Sequence, residues 1–360
     1  MERLINFAAG PAAMPIEVLE KIEKNICNYD GEGLSVMEMS HRSKMYEKII
    51  NETRETLKKL LNLNDDYDIL FLQGGASLQF AMVPLNLANA GDLVYYAVTG
   101  NFANKAYEEA KKWTNAIDIT NSKADKYRYI PSIDDSKIDK KAKYIHITAN
   151  NTIFGTMYDE LPKVSVPLVA DVSSNILGKE YDYNKFALAY AGAQKNLGPA
   201  GLTVVVINKK YIRELEDEKV PTMLNYSIHA KNNSMYNTPP TFAIYVAGET
   251  FKWVMSMGGV KELEKRNMEK ARLLYDILDN SKFYKPFADV KSRSIMNVTF
   301  NLPSEELEAK FVEEAKNKGM INLKGHRVLG GIRASIYNAL TIEQVKTLAN
   351  FMVDFEKNNK

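Results

Sequence analysis

The sequence predicts an α/β fold, a mostly parallel sheet covered by helices on both faces, followed by a smaller α+β domain. Three observations predict it. Short apolar runs alternate with helix-patterned stretches between Tyr67 and Ile207, the pattern of parallel strands buried on both faces. Several runs end in small or reactive residues, namely Gly74-Gly75, Asp171 and Lys195, and ligands of such sheets sit at the carboxyl ends of the strands. After Gly258-Gly259 the composition shifts to long charged helices and a few short apolar strands.

In order along the chain, Asn6-Phe7-Ala8-Ala9-Gly10-Pro11 is an extended or turn segment, broken by Gly-Pro and then by Pro15. Residues 16–28 carry helical apolar spacing at Ile16, Leu19, Ile22 and Ile26, and residues 46–61 repeat it with Ile49, Ile50, Thr53, Leu57, Leu60 and Leu61. Residues 67–72 read as a buried strand that runs through Gln73-Gly74-Gly75-Ala76-Ser77 into an apolar helix over 78–88. Strands follow at 92–98, 144–148, 166–172, 188–193 and 202–207, with a helix over 101–113. Beyond the boundary come a helix over 260–278, a strand over 294–300, a helix over 305–318, a strand over 329–336 and a closing helix over 341–356. We expect a large domain over 16–258, and a small domain made of 259–360 with residues 1–15 packed against it.

Composition narrows the function. The chain has 360 residues and is 45% hydrophobic, enough for two domains or one large one. Lys+Arg 47 against Asp+Glu 45 is nearly balanced, so charge gives no reason to expect nucleic acid or a membrane surface as partner. Cys27 is the only cysteine, which excludes an intrachain disulfide and a cysteine-rich metal site; no metal is expected. MERLINFAAGP lacks the long apolar core of a secretory signal, and no apolar run is long enough to span a bilayer. A cytoplasmic protein is the expectation.

Four constellations carry chemistry. Lys195 lies between the apolar runs 186–193 and 202–207, flanked by Gln194 and Asn196 and followed by Gly198-Pro199-Ala200-Gly201. It is either a surface lysine on a tight turn or a buried amine of lowered pKa, fit for Schiff-base chemistry. Gly74-Gly75-Ala76-Ser77 opens a helix, where free N–H groups and the helix dipole favour phosphate; a plain tight turn is the other reading. Neither G-x-G-x-x-G nor a P-loop is present, so no dinucleotide or nucleoside triphosphate is indicated. Asp171 ends an apolar strand, where it can pair with a cationic ring nitrogen or cap a helix. His146 and Asn150-Asn151-Thr152 follow another strand; Thr152 offers a hydroxyl to a ring oxygen or a phosphate, and an asparagine-stabilised turn is the alternative. Finally, His41-Arg42, His326-Arg327 and Arg333 suggest a substrate with more than one acidic group, because arginine forks match carboxylate and phosphate.

Together these pieces resemble the class V aminotransferase group of fold-type I enzymes that use pyridoxal 5'-phosphate. The resemblance spans essentially the whole chain. It is carried by Phe7-Ala8-Ala9-Gly10-Pro11, Met39-Ser40-His41-Arg42-Ser43, Gln73-Gly74-Gly75-Ala76-Ser77, Thr99-Gly100, and His146 with Asn151-Thr152-Ile153-Phe154-Gly155. Asp171-Val172-Ser173-Ser174, residues 192–201, Asn237-Thr238-Pro239-Pro240-Thr241, and Gly325-His326-Arg327 with Gly330-Gly331-Ile332-Arg333-Ala334-Ser335 complete it.

The resemblance implies a seven-stranded large-domain sheet, L-glutamate as amino donor and 3-phosphohydroxypyruvate as acceptor, in a ping-pong scheme of L-serine biosynthesis. It also allows a phosphohydroxythreonine step of pyridoxine biosynthesis. It implies Lys195 as Schiff-base lysine and proton shuttle, and Asp171 as the partner of the cofactor's ring nitrogen. Thr152 would bond the phenolic oxygen, Ala76, Ser77 and Gln194 would hold the cofactor phosphate, and Phe102 would cover the ring. Asn237 and Thr238 would reach that phosphate from the second subunit of a homodimer. Arg333 would bind the α-carboxylate; His326 and Arg327, with His41 and Arg42 of the second subunit, would bind the distal acid. Three positions depart from the family pattern: Phe102 replaces the usual tryptophan, Ser77 an arginine found in part of the family, and Ala9 a frequent serine. Two alternatives stand beside this reading. One is another class V enzyme, of the alanine/serine–glyoxylate aminotransferase type or a desulfurase, the latter disfavoured because Cys27 reads as a packing residue of the first helix. The other is a non-catalytic module of the same fold.

Overall fold

The computed structural model describes residues 3–215 and 220–360. Its frame is a seven-stranded sheet in the order Tyr67–Leu72, Thr203–Asn208, Phe186–Gly192, Leu168–Asp171, Ile145–Thr148, Leu93–Val98, Asn115–Asn121. Thr203–Asn208 runs antiparallel to both neighbours, and every other pair is parallel. The inner strands FALAYAG and LVAD are buried along their whole length. A strand covered on both faces has no polar side, hence their continuous apolar runs.

Asn115–Asn121 is the strand that sequence patterning missed. NAIDITN lies at the sheet edge and is only part-buried, so half of its side chains are polar and the apolar run that marks its neighbours is absent. The helix Thr241–Ser256 was missed for the opposite reason. It is buried over most of its surface, so it lacks the polar stripe that makes helical periodicity visible. It packs against Lys44–Leu60. Gly248 permits that approach, since a Cβ there would run into the Thr53 side chain.

The strand registers bring the carboxyl ends level. Thr148 is opposite Asp171, Asp171 is opposite Tyr190, and Thr203 pairs with both Gly192 and Leu72. The segments beginning at Gln73, Thr99, Ala149, Val172 and Ala193 therefore emerge along one edge.

A second, three-stranded antiparallel sheet joins Lys285–Pro286, Asn297–Asn301 and Ile332–Ser335. The helices Gly259–Asn280, Glu305–Asn317 and Ile342–Asn359 pack on it around Phe283, Phe300, Phe311, Phe351 and Phe355. Ile5–Asn6 pairs in parallel with Met320–Ile321, and Phe7 enters the same core.

Buried side chains tie the two sheets together. Asn150 Nδ2 donates to Asn297 Oδ1 (2.8 Å), and Ser294 Oγ donates to Asn150 Oδ1 (2.6 Å). The first helix ends at Asn25, and Cys27 is exposed beyond it, which corrects the expectation that this thiol is a packing residue. Among the described residues no helix is long and apolar enough to cross a membrane.

An exposed mid-helix glycine gains about 1 kcal/mol of helix propensity on replacement by alanine. Gly248→Ala should do the reverse, because Thr53 is buried and its hydroxyl is committed to Ile49 O. We expect a loss of roughly 1–3 kcal/mol from overpacking, read from urea unfolding midpoints; a gain would show that the helices separate freely.

Candidate active site

Lys195 lies just past the Phe186–Gly192 strand, in the turn that leads to Thr203–Asn208. The turn is made by Ala193 O, which accepts from the N–H groups of Leu197 and Gly198. The N-terminal segment covers one side: Ala12 N–H donates to Gln194 O (2.9 Å), and a Cβ on Gly10 would lie 3.4 Å from Lys195 Cγ. The amine is partly buried, and Nζ donates to Thr152 Oγ1 at 2.6 Å. Burial lowers its pKa from the usual lysine range to about 8; Asp171 opposes that drop and Arg333 adds to it. The surface-turn alternative is thereby set aside.

Asp171 is 5% exposed, and its Oδ1 accepts from the Ser173 N–H at 2.9 Å. Burial raises its pKa above the ordinary carboxylate value, with Ser173 and then Lys195 acting the other way. It caps no helix, because the chain turns at Val172-Ser173. Thr152 is buried, and the neighbouring asparagines do hold their turn: Asn151 Nδ2 donates to Thr99 Oγ1 and Thr156 Oγ1, both at 3.2 Å. Both readings of that segment hold together. His146 instead lies in the core under the sheet, stacked on Tyr96 and 2.8 Å from Tyr190 Oη.

Gly74 and Gly75 take left-handed φ values of +85° and +64°, and the helix Gly75–Leu87 they open has no side-chain cap. The first-turn amides, including Ala76 and Ser77, have no carbonyl of their own helix to meet. Ser77 is exposed and Ala76 part-buried. Phe102 stands in the first turn of Asn101–Ala110, with its ring centroid 5.4 Å from Lys195 Nζ.

Arg333 lies in the Ile332–Ser335 strand opposite Thr299, and burial lowers its pKa. Its Nε is buried without a partner among the described residues. His326 is part-buried; burial lowers its pKa first, and then Arg333, Arg327 and Lys105 add to the effect. Arg333 thus lies within electrostatic reach of both Lys195 and His326. His41, Arg42, Asn237 and Thr238 group elsewhere. Thr238 Oγ1 and His41 Nδ1 are 3.2 Å apart, while Arg42, Asn237 and Thr238 are exposed. The polar contacts of Lys195, Asp171 and Thr152 involve none of these four.

Three supporting residues escaped sequence reading. Tyr337 Oη donates to Ala9 O (2.9 Å) and accepts from Asn297 Nδ2 (3.2 Å). Asn338 N–H donates to Asn196 Oδ1 (3.1 Å), beside the lysine. Lys270, 1% exposed, donates to the carbonyls of Ile336, Tyr337 and Leu340 at 2.8–2.9 Å. A lysine at a core position of the 259–280 helix is the one signal the sequence carried.

The residues fit pyridoxal phosphate. An uncapped helix start suits its phosphate, a buried carboxylate suits a protonated ring nitrogen, a hydroxyl suits its phenolic oxygen, and an aromatic face suits its flat ring.

Comparison with known proteins agrees. The aminotransferase class-V family model matches residues 4–348. The chain is 50% identical to a phosphoserine aminotransferase of Bacillus cereus, over 100% of both chains. It is 52% identical to one of Geobacillus kaustophilus, over 99% of both. The solved phosphoserine aminotransferase of Bacillus circulans subsp. alkalophilus superposes with a TM-score of 0.96 at 45% identity, covering 100% of each chain. The pyridoxal-phosphate-bound enzyme of Trichomonas vaginalis gives a TM-score of 0.92 at 36% identity, covering 98% of this chain and 100% of that one.

The lowered pKa of Lys195 sets the sign of a stability effect in the cofactor-free protein. The folded value, about 8, lies below the unfolded value of about 10.4. The charged amine is therefore destabilising below about pH 8, and the penalty fades as pH rises toward the unfolded pKa. Lys195→Met should raise stability by roughly 1–2 kcal/mol at pH 7, discounted for partial exposure, and the advantage should shrink to nothing near pH ~10.4. Urea unfolding across that range measures it.

Proposed function

The chain belongs to the class-V aminotransferase family, and on that footing we propose that it transfers the amino group of L-glutamate to 3-phosphohydroxypyruvate, giving O-phospho-L-serine and 2-oxoglutarate. The observation that carries this is about half identity to phosphoserine aminotransferases over the full length, with Lys195, Asp171 and Thr152 gathered in one cleft. Neither alternative is favoured: the relatives above are phosphoserine aminotransferases, and both Lys195 and Asp171 stand in position.

Pyridoxal phosphate, when bound, supplies the carbonyl carbon that takes up and returns the amino group, and the ring that stabilises the substrate's electron pair. The amides of Ala76 and Ser77 would hold its phosphate, with Gln194 beside them. Asp171 would keep the ring nitrogen protonated, Thr152 would bond the phenolic oxygen, and Phe102 would cover the ring. Lys195 Nζ, with a pKa lowered to about 8, takes the proton from the substrate α-carbon and gives it back on the far side of the transfer. Arg333 orients the α-carboxylate. His326 and Arg327 meet the distal acid.

The active unit of this reading is a homodimer. Asn237 and Thr238 complete the phosphate site of the opposite subunit, and His41 and Arg42 its substrate site. The exposure of Arg42, Asn237 and Thr238 and the contact of Thr238 with His41 support delivery as one patch. The reading also takes 16–258 as the cofactor domain, 259–360 with 1–15 as the smaller one, supported by the pairing of Ile5–Asn6 with Met320–Ile321, and a cytoplasmic location.

Lys195→Ala should lower turnover by roughly 10³-fold or more and remove the glutamate-induced shift of the cofactor's visible absorbance; normal turnover would refute the role of Lys195. The wild type should favour 3-phosphohydroxypyruvate over pyruvate or glyoxylate by roughly 10²-fold or more in kcat/KM. Mixing inactive Lys195→Ala and Arg42→Ala proteins should restore activity if sites are shared between subunits, because one site of the mixed dimer is then intact.

A further inference from the structure

We propose that Lys105 is a specificity-determining residue of the acceptor site, a further cation that meets the phosphate of a phosphorylated 2-oxo acid. This rests on the amino transfer proposed above.

Lys105 lies on the helix Asn101–Ala110, which leaves the Leu93–Val98 strand at the catalytic edge of the sheet. It follows Phe102 by three residues, so both lie on one helix face. Its Nζ is 5.7 Å from the centroid of the Phe102 ring, and Lys195 Nζ is 5.4 Å from that same ring. One aromatic ring therefore carries the amine of the chemistry and a second amine nearer the helix surface. The cation–π contact favours the Lys105 ammonium over the ring rather than free in solvent.

Lys105 differs from the other lysines nearby. Lys111 and Lys112 pair with Glu108 and Glu109 at 3.0 and 2.6 Å. Lys105 makes no ion pair among the described residues. The charges that act on His326 are those of Arg333, Arg327 and Lys105, all cationic. Glu308, which bonds that loop through the Gly331 N–H, is also committed to the Asn301 side chain and the Leu302 N–H. A single carboxylate needs only Arg333 in its fork. The surplus of positive charge beyond it fits a group that brings about −1.5 to −2 at neutral pH, as a phosphate monoester does. Lys105 adds to that surplus from the side of the cofactor's ring, opposite in sequence to His326 and Arg327, so that a phosphate is met from two elements. An exposed ammonium acts through screened attraction, which sets a modest effect that weakens with salt.

The test compares 3-phosphohydroxypyruvate with hydroxypyruvate as acceptors for the holoenzyme, with L-glutamate as donor. Lys105→Gln should lower kcat/KM for the phosphorylated acceptor about fivefold, chiefly through KM, and weaken competitive inhibition by inorganic phosphate by a similar factor. The change for hydroxypyruvate should stay under about twofold, Lys105→Arg should restore the wild-type ratio, and Lys105→Glu should lower it further. An equal loss on both acceptors overturns the proposal, because it marks a role through Phe102 packing alone. No change on either also overturns it. A wild type that does not distinguish the two acceptors overturns both this proposal and the proposed function. A wild type that does, with Lys105→Gln unchanged, overturns this one alone.

Discussion

The site depends on the desolvation of one amine. An ammonium taken from water into a crevice of a packed sheet loses hydration that only a close acceptor or an opposite charge can replace. Thr152 supplies the acceptor at 2.6 Å, and Asp171 supplies the charge. The balance leaves Lys195 with a pKa of about 8, where an amine can both accept and release a proton near neutral pH. Asp171 is subject to the same burial with the opposite sign, so each group is the counter-charge that makes the other tolerable. Each therefore relieves only part of the other's burial, and burial remains the larger effect at both groups.

Holding that pair requires a sheet edge that does not move relative to what covers it. The cover is provided by the second sheet and the N-terminal segment, and its fastening is polar. Asn338 bridges the lysine turn through Asn196, receives Asn267 Nδ2 on its Oδ1, and reaches Leu177 O with its own Nδ2. Lys270 fixes the carbonyls on either side of Asn338, and burial lowers its pKa to about 7. Buried networks of this kind are costly unless complete, so they admit one arrangement of the parts and no close neighbour of it. Arg333 lies in the strand that leads into that loop, so its guanidinium and the Lys195 amine share this support.

The sequence made the inner strands and the chemical residues legible because both have strong, local signatures. LVAD ending in a carboxylate and a glycine pair opening an apolar helix are read within a few residues. The edge strand Asn115–Asn121 and the buried helix Thr241–Ser256 were hidden because their patterns depend on what covers them, which is decided by tertiary packing. The Asn196–Asn338–Asn267 network was hidden for a related reason: an asparagine in a loop reads the same whether it faces water or a buried partner 142 residues away. Lys195 was ambiguous alone and became definite only beside Thr152 and Asp171, residues 43 and 24 positions earlier in the chain.

The same electrostatics connect binding to chemistry. Arg333 is one of the groups that holds the Lys195 pKa down. With the role proposed for Arg333, a substrate carboxylate in its guanidinium fork would offset that contribution, which is smaller than those of burial and of Asp171. The amine would then hold a proton somewhat more tightly with substrate present than without it. The coupling needs no moving part. It would follow from the placement of Arg333, in a strand of the small sheet, close enough to Lys195, in the turn after a strand of the large one, for each to sense the other's charge across buried polar contacts.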